Sequence, residues 1–202
     1  MIVIVDYGVG NVAAIKNMLK KCGFESILSH RPSDLFQASK IILPGIGAFD
    51  ACVTNLDQYG LRSVLNECVM VNKIPILGIC VGMQLLASGS EEGNLEGLGW
   101  IEGYVKKFHF EDKNIRVPHM GWNTIHPQFN NPLFHNLDLR ARFYFAHSYH
   151  FVCKSTENRG AFTKYGFEFS SSVIKNNIYG VQFHPEKSLK FGMNVLNNFA
   201  NL

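Results

Sequence analysis

Cys80 stands in Gly78-Ile79-Cys80-Val81-Gly82, with glycine two residues before and two after the thiol, at the end of the apolar run Ile74 to Ile79. A strand that turns sharply into a helix at such a cysteine lifts the side chain above the sheet, the nucleophile-elbow arrangement with sulfur in place of serine oxygen. The helix start beneath the sulfur favours its thiolate, and the Val81 N–H is placed to face an oxyanion. Such a nucleophile needs a base. Val181-Gln182-Phe183-His184-Pro185-Glu186 offers one, because in an extended chain His184 and Glu186 point to the same side and the carboxylate can orient the imidazole. His119, His147 and His150 have no acidic residue two positions away. A third segment, Leu43-Pro44-Gly45-Ile46-Gly47-Ala48-Phe49, reads as a strand running into a glycine turn whose Ile46 or Gly47 N–H would supply a second oxyanion donor. Taken singly, each segment has a plainer reading: a buried cysteine, a surface His and Glu around a proline, an ordinary tight turn.

These residues must be carried by elements, and the first half of the chain alternates apolar runs with helical patterns. Ile2 to Val5 reads as a buried strand, Asn11 to Lys21 as a helix with Val12, Ile15, Met18 and Leu19 on one side, and Lys40 to Leu43 as a strand. A helix over Leu61 to Asn72, a strand over Pro75 to Ile79, and a helix opening near Gly82 and running through Ala87 continue the pattern. The alternation predicts a mostly parallel sheet covered on both faces, with sites outside the carboxyl ends of its strands. The second half changes character. Trp100 to Phe110, Phe143 to Cys153, Glu168 to Ile174 and Ile178 to Phe183 read as antiparallel strands, with a hairpin at Asn176-Asn177, and Phe191 to Leu202 as a closing helix.

At 202 residues, with 47% apolar and 17% charged residues, the chain suits one domain spanning 1–202 and is too apolar for global disorder. A net charge of +3 is too small for a nucleic-acid footprint, and no apolar run approaches the roughly 20 residues that cross a bilayer. Met1-Ile2-Val3-Ile4-Val5-Asp6 lacks the pattern of a signal peptide, so a cytoplasmic location is expected. Five cysteines without a CxxC pair suit reduced thiols better than a disulfide framework or a metal site, and no cofactor is expected. Asp6-Tyr7-Gly8-Val9-Gly10-Asn11 lacks the third glycine of a dinucleotide fingerprint and the lysine of a phosphate loop.

As a set, Pro44-Gly45-Ile46-Gly47, Gly78-Ile79-Cys80-Val81-Gly82-Met83-Gln84 and Phe183-His184-Pro185-Glu186-Lys187-Ser188 resemble the class I (triad) glutamine amidotransferases. Tyr7-Gly8-Val9-Gly10-Asn11, Pro118-His119-Met120-Gly121-Trp122-Asn123 and His147-Ser148-Tyr149 are similar, over essentially the whole chain, to the glutaminase subunits of imidazole glycerol phosphate synthase. Val81 stands where leucine is usual, and Ala87-Ser88-Gly89 where bulkier or charged residues are common; neither removes a reacting group.

The resemblance implies a flavodoxin-like open α/β sheet, mostly parallel with antiparallel strands in its second half. It also implies a Cys80-His184-Glu186 triad that hydrolyses glutamine to glutamate and ammonia through a thioester, with Val81, Ile46 and Gly47 at the oxyanion. Gln84, Glu92, Ser148 and Tyr149 match positions that hold or line the substrate pocket. Asn11, Trp122, Asn123 and Lys187 match the face that docks on a (β/α)8-barrel synthase subunit, forming a heterodimer into which ammonia passes for the making of imidazole glycerol phosphate in histidine biosynthesis. It further implies low glutaminase activity until the synthase binds its own substrate, with reorientation of the Ile46-Gly47 peptide as the switch. Two other readings stand beside this one. Arg142-Phe143-Tyr144-Phe145, Tyr165-Gly166-Phe167-Glu168-Phe169 and Lys190-Phe191-Gly192-Met193 look like relatives that supply ammonia for amination of bacterial surface sugars, and a cysteine peptidase or thioesterase could use the same elbow and base.

Overall fold

A computed structural model of the chain describes residues 1–128 and 131–202. Five strands run parallel in the order β2 (Ser26–Ser29), β1 (Ile2–Val5), β3 (Lys40–Gly45), β4 (Ile76–Cys80) and β12 (Ile178–Val181). Beyond β12 the sheet turns antiparallel, through β11 (Phe167–Lys175) to β10 (Arg159–Tyr165) and the short β7 (His126–Pro127). β9 (Tyr149–Cys153) pairs with β11 and with β5 (Gly103–Lys107), while β6 (His119–Asn123) and β8 (Phe143–His147) form a separate two-stranded sheet.

The central strands β1 and β4 are buried at every position, as strands covered on both faces require. The crossover connections put α1 (Val12–Lys21) on one face, beside α6 (Leu189–Ala200), and α2 (Pro32–Phe36), α3 (Phe49–Gln58) and α4 (Leu61–Asn66) on the other. Apolar helical positions then meet the sheet: Ile15 and Leu19 of α1 and Val195, Leu196 and Phe199 of α6 are buried.

Several elements depart from what the sequence pattern predicts. β2 and α2 fall between the first two expected strands, and α3 follows the glycine turn. The α4 helix widens into a π-helical turn over Glu67–Val71. The segment Phe143 to Cys153 is two strands broken at Ser148, each in a different sheet. β12 pairs antiparallel with β11, as the hairpin predicts, but parallel with β4 on its other side. The helix after the elbow, α5 (Val81–Gln84), is a single turn rather than a run to Ala87. Its continuation is pre-empted by the returning chain: the carbonyls of Leu85, Leu86 and Ala87 accept from Leu98, Ile101 and Gly99.

Candidate active site

Register brings the pieces together. Gly45 of β3 stands opposite Cys80 of β4, and Ile79 opposite Val181 of β12, so three strands end at one level and their loops share one rim. At that rim lies a cavity of about 410 Å³, lined by Ile46, Gly47, Cys80, Val81, Gln84, Glu92, His147, Ser148, Tyr149, His184 and Lys187 among others. Every expected oxyanion and substrate residue lines it. Of the expected triad, Cys80 and His184 reach the wall, and Glu186 stands behind His184.

Cys80 is held at φ 56° and ψ −114°, a conformation that costs a non-glycine residue and persists only where its surroundings impose it. Glycine makes the turn possible by close approach. A Cβ on Gly82 would lie 2.0 Å from the Leu43 carbonyl oxygen, and one on Gly45 would lie 2.5 Å from the Gly82 nitrogen. β3 and the elbow therefore pack main chain to main chain, which sets the glycine turn beside the sulfur. That turn is braced from beneath: the buried Tyr7 hydroxyl donates to the Pro44 carbonyl, and the Cys52 thiol donates to the Ile46 carbonyl at 3.6 Å. With the Ile46 carbonyl turned toward Cys52 in the core, the trans peptide aims the Gly47 N–H the opposite way.

His184 is fixed by its main chain. Its N–H donates to the Tyr144 carbonyl at 2.9 Å, and its own carbonyl accepts from Ser188 Oγ at 2.6 Å. Glu186 meets His184 as expected, but by another route. Pro185–Lys187 is a 3-10 turn rather than extended chain, and it folds Glu186 Oε1 back to within 2.9 Å of His184 Nδ1. The two side chains are only 5% and 2% exposed, and Glu186 Oε2 has no hydrogen-bond partner among the described residues. A buried carboxylate with one oxygen unpaired demands a compensating charge, which the imidazolium supplies. Burial by itself lowers the pKa of His184; hydrogen bonds to Cys80 and Glu186, and their charges, outweigh it and raise the value to about 10. The arrangement is a Cys–imidazolium pair anchored by a carboxylate, poised for attack on an acyl carbon.

Two features escaped the sequence pattern. Gln182 Nε2 lies 3.8 Å from Cys80 Sγ, where the sequence pattern marks Gln182 only as part of a strand. Its signal was the spacing, since two residues before His184 an extended chain points to the same side. The second is a pair of neutral histidines, His147 on the cavity wall and His119 behind it. His147 Nδ1 lies 2.7 Å from the Tyr149 carbonyl, which only accepts, so that nitrogen carries the proton. His147 Nε2 therefore accepts from His119 Nδ1 at 3.1 Å, and His119 Nε2 accepts from Asn123 Nδ2 at 3.2 Å. Burial lowers His119 to about 4 and His147 to about 3.

Glu92 Oε2 accepts from the Phe49 N–H at 3.0 Å, and burial raises the pKa of this carboxyl. Of the expected docking residues, Trp122 is 45% exposed and Asn11 and Lys187 are exposed. Lys187 Nζ sits 5.6 Å from the centroid of the Tyr144 ring. Asn123 differs from the other three: half-buried, it uses its side chain on His119, the Lys164 carbonyl and the Thr124 N–H. Among the described residues no group of three His, Cys, Asp or Glu side chains is placed to hold a metal ion, and no helix is long and apolar enough to cross a membrane.

Known proteins resemble this one over its length. The profile of the family described as glutamine amidotransferase class-I matches residues 3–201. A Methanococcus maripaludis protein named imidazole glycerol phosphate synthase subunit HisH 2 is 51% identical over 98% of both chains. The subunit HisH of Bdellovibrio bacteriovorus is 47% identical over 100% of both. Among solved structures, PurLQS from Thermotoga maritima superposes with a TM-score of 0.73 at 19% identity, covering 99% of this chain and 97% of that one, a likeness of fold alone.

Proposed function

Because the chain belongs to the class-I glutamine amidotransferase family, we propose that it is the glutaminase subunit of an imidazole glycerol phosphate synthase, acting through Cys80, His184 and Glu186. The observation that carries the chemistry is the Glu186–His184 pair at 2.9 Å, buried behind the wall that Cys80 and His184 share. Full-length relatives bearing that subunit name support the pathway. The whole chain acts as one glutamine amidotransferase domain.

The steps follow from the charges. The Cys80 thiolate adds to the side-chain carbonyl carbon of glutamine, and the C=O electron pair moves to oxygen, where the Val81 and Gly47 N–H groups receive it. Collapse of this intermediate breaks the C–N bond, and His184 gives its proton to the departing nitrogen, leaving a thioester and ammonia. Water then adds to the thioester with His184 taking its proton. The S–C bond breaks, glutamate leaves, and the thiolate–imidazolium pair is restored. Gln84 has both amide hydrogens engaged, with the Tyr149 carbonyl and Gln182, so it offers the cavity only its oxygen, an acceptor for an N–H of the substrate.

Ammonia is the nucleophile needed downstream, and in bulk water near neutral pH most of it is protonated and inert. It must leave by a covered route. Ile46 and Met120 line the cavity and are 47% and 64% exposed, with Lys187 on the same wall, and Trp122, 45% exposed, follows Met120 by two residues on β6. An exposed apolar rim of this kind suits a protein partner, and we assign it to a (β/α)8-barrel synthase subunit. The test is whether the gene restores growth to a histidine auxotroph lacking this subunit, and whether Cys80→Ala abolishes both that growth and glutamine hydrolysis. Glutamine hydrolysis without complementation would move the assignment to an amination of another kind, such as that of a surface sugar. Glutamine left intact in the presence of the synthase would refute the glutaminase reading.

A further inference from the structure

Gln182 has no part in the triad, yet its side chain is fully buried and ends on the reacting atom, with Nε2 3.8 Å from Cys80 Sγ. Its orientation is dictated by its neighbours. The Tyr149 main-chain carbonyl can only accept, so Gln84 must turn its Nε2 there, at 3.2 Å. The second hydrogen on that nitrogen reaches Gln182 at 3.1 Å, and the atom it meets must be Oε1. The Gln182 nitrogen is thereby left facing the sulfur. The backbone is fixed as well: the Gln182 N–H donates to the Ser171 carbonyl at 2.9 Å, and the next residue, Phe183, is locked against Phe143 with ring centroids 4.1 Å apart.

Building on the glutaminase reading, we propose that Gln182 is a second hydrogen-bond donor to the Cys80 thiolate, complementing His184, and that it holds the sulfur charged and aimed for attack. An amide suits the task because it donates to an anion without surrendering its proton near neutral pH, so it stabilises the nucleophile without quenching it. The donor serves twice in each turnover. It holds the thiolate before the S–C bond forms, and it receives the sulfur again as leaving group when the thioester breaks. The same amide ties the nucleophile to Gln84 and the Tyr149 carbonyl, two residues of the substrate cavity, so a shift reaches the sulfur through two hydrogen bonds from Gln84 and three from Tyr149.

The test reads the sulfur without substrate. Iodoacetamide alkylation of Cys80 in the full chain is followed by mass spectrometry from pH 5 to 10, for the parent, for Gln182→Met, which removes the donor at similar volume, and for Gln182→Glu, which keeps the shape but presents an acceptor. Losing a hydrogen bond to a charged group predicts that methionine raises the midpoint of the alkylation profile by about one pH unit and lowers kcat for glutamine roughly 10- to 100-fold, with KM within about threefold. Glutamate raises the midpoint further, and it stands in should methionine pack badly. A midpoint within about 0.3 unit of the parent in both folded variants overturns the proposal, because a merely structural role would lower thermal stability and leave the profile in place. A parent that alkylates at Cys80 yet never hydrolyses glutamine would instead refute the proposed function, so the two failures are distinct.

Discussion

Gly82→Ala gives opposite predictions from propensity and from structure. Gly82 lies inside α5, and alanine there should stabilise a helix by about 1 kcal/mol. The structure reverses that sign. The new Cβ would sit 2.0 Å from the Leu43 carbonyl oxygen, 2.9 Å from the Leu43 carbonyl carbon and 3.2 Å from that of Pro44. All three are main-chain atoms of β3, which is clamped by β1 on one side and β4 on the other, so relief requires more than 1 Å of movement in the centre of the sheet. Overpacking against atoms that cannot swing aside belongs at the upper end of its usual range, about 3 kcal/mol. For a chain of this length that lowers Tm by roughly 6–12 °C. The same movement carries the Cys80 sulfur and the Val81 N–H out of line, and a 1 Å misplacement costs about 100-fold in rate. Thermal unfolding by circular dichroism and glutamine hydrolysis with the synthase measure both effects. Gly23→Ala is the control: its φ is +87°, but nothing lies within 4 Å of the added atom, so it should lose stability by about 1–2 kcal/mol and keep its activity. Gly82→Ala with Tm within about 2 °C and rate within about threefold of the parent would show that the close approach does not hold the elbow in place.

Three further outcomes follow from the site. Cys80→Ala and His184→Ala should each lower glutamine hydrolysis by at least about 1000-fold and Glu186→Gln by roughly 100- to 10,000-fold, and steady-state rates within tenfold of the parent would remove that residue from the triad. His184 is raised to about 10 from an ordinary 6.5, so its stabilising ion pair is fully present below pH 6.5 and is lost as pH rises through 10; urea midpoints should fall over that interval in the parent and much less in Glu186→Gln. Burial acts the other way on His119 and His150, both lowered to about 4, and on His147, lowered to about 3: the unfolded chain takes up protons near pH 6.5 that the native chain refuses, so stability falls as pH drops, by up to about 1.4 kcal/mol per pH unit for each. His150→Phe should reduce that slope by about a third at little cost near pH 7, since His150 Nδ1 has no hydrogen-bond partner among the described residues and its ring already stacks on Phe108; equal urea midpoints at pH 7 and 5 in the parent would refute the neutral-histidine reading.

The chemistry was more legible in the chain than the architecture that holds it. Cys80 between its glycines, and His184 two residues before Glu186, are local patterns whose meaning survives almost any surroundings, and the structure brings Cys80 and His184 to one cavity wall with Glu186 behind His184. The details that failed are set by distant parts of the chain. α5 ends after one turn because Leu98, Gly99 and Ile101 return to take the carbonyls it would need, a contact no window around Gly82 contains. β2, with two serines and two apolar residues, is too short to show a period. Glu186 reaches His184 through a 3-10 turn because Pro185 presets that bend, where a strand offset had predicted the same meeting. Gln182 and the His119–His147 pair differ again: spacing from His184 marks the side to which Gln182 points, but the roles of all three depend on which atom each neighbour presents, and only assembled hydrogen bonds decide that.

The position of β12 also orders events in time. Cys80 closes β4, and about a hundred residues separate it from His184, which follows the strand slotted between β4 and β11 near the end of the chain. At about 5–20 residues per second, a ribosome exposes the thiol for roughly 5–20 s before its base exists. On the proposed mechanism the emerging polypeptide would consume no glutamine throughout that interval, since the sulfur has neither an acid for the departing ammonia nor a carboxylate behind it. A chain cut short before Ile178 would leave β4 and β11 with bare backbone edges facing an empty slot, a surface that invites another strand and marks the fragment for aggregation or removal. A half-made subunit is therefore silent as an enzyme and conspicuous as a misfolded protein.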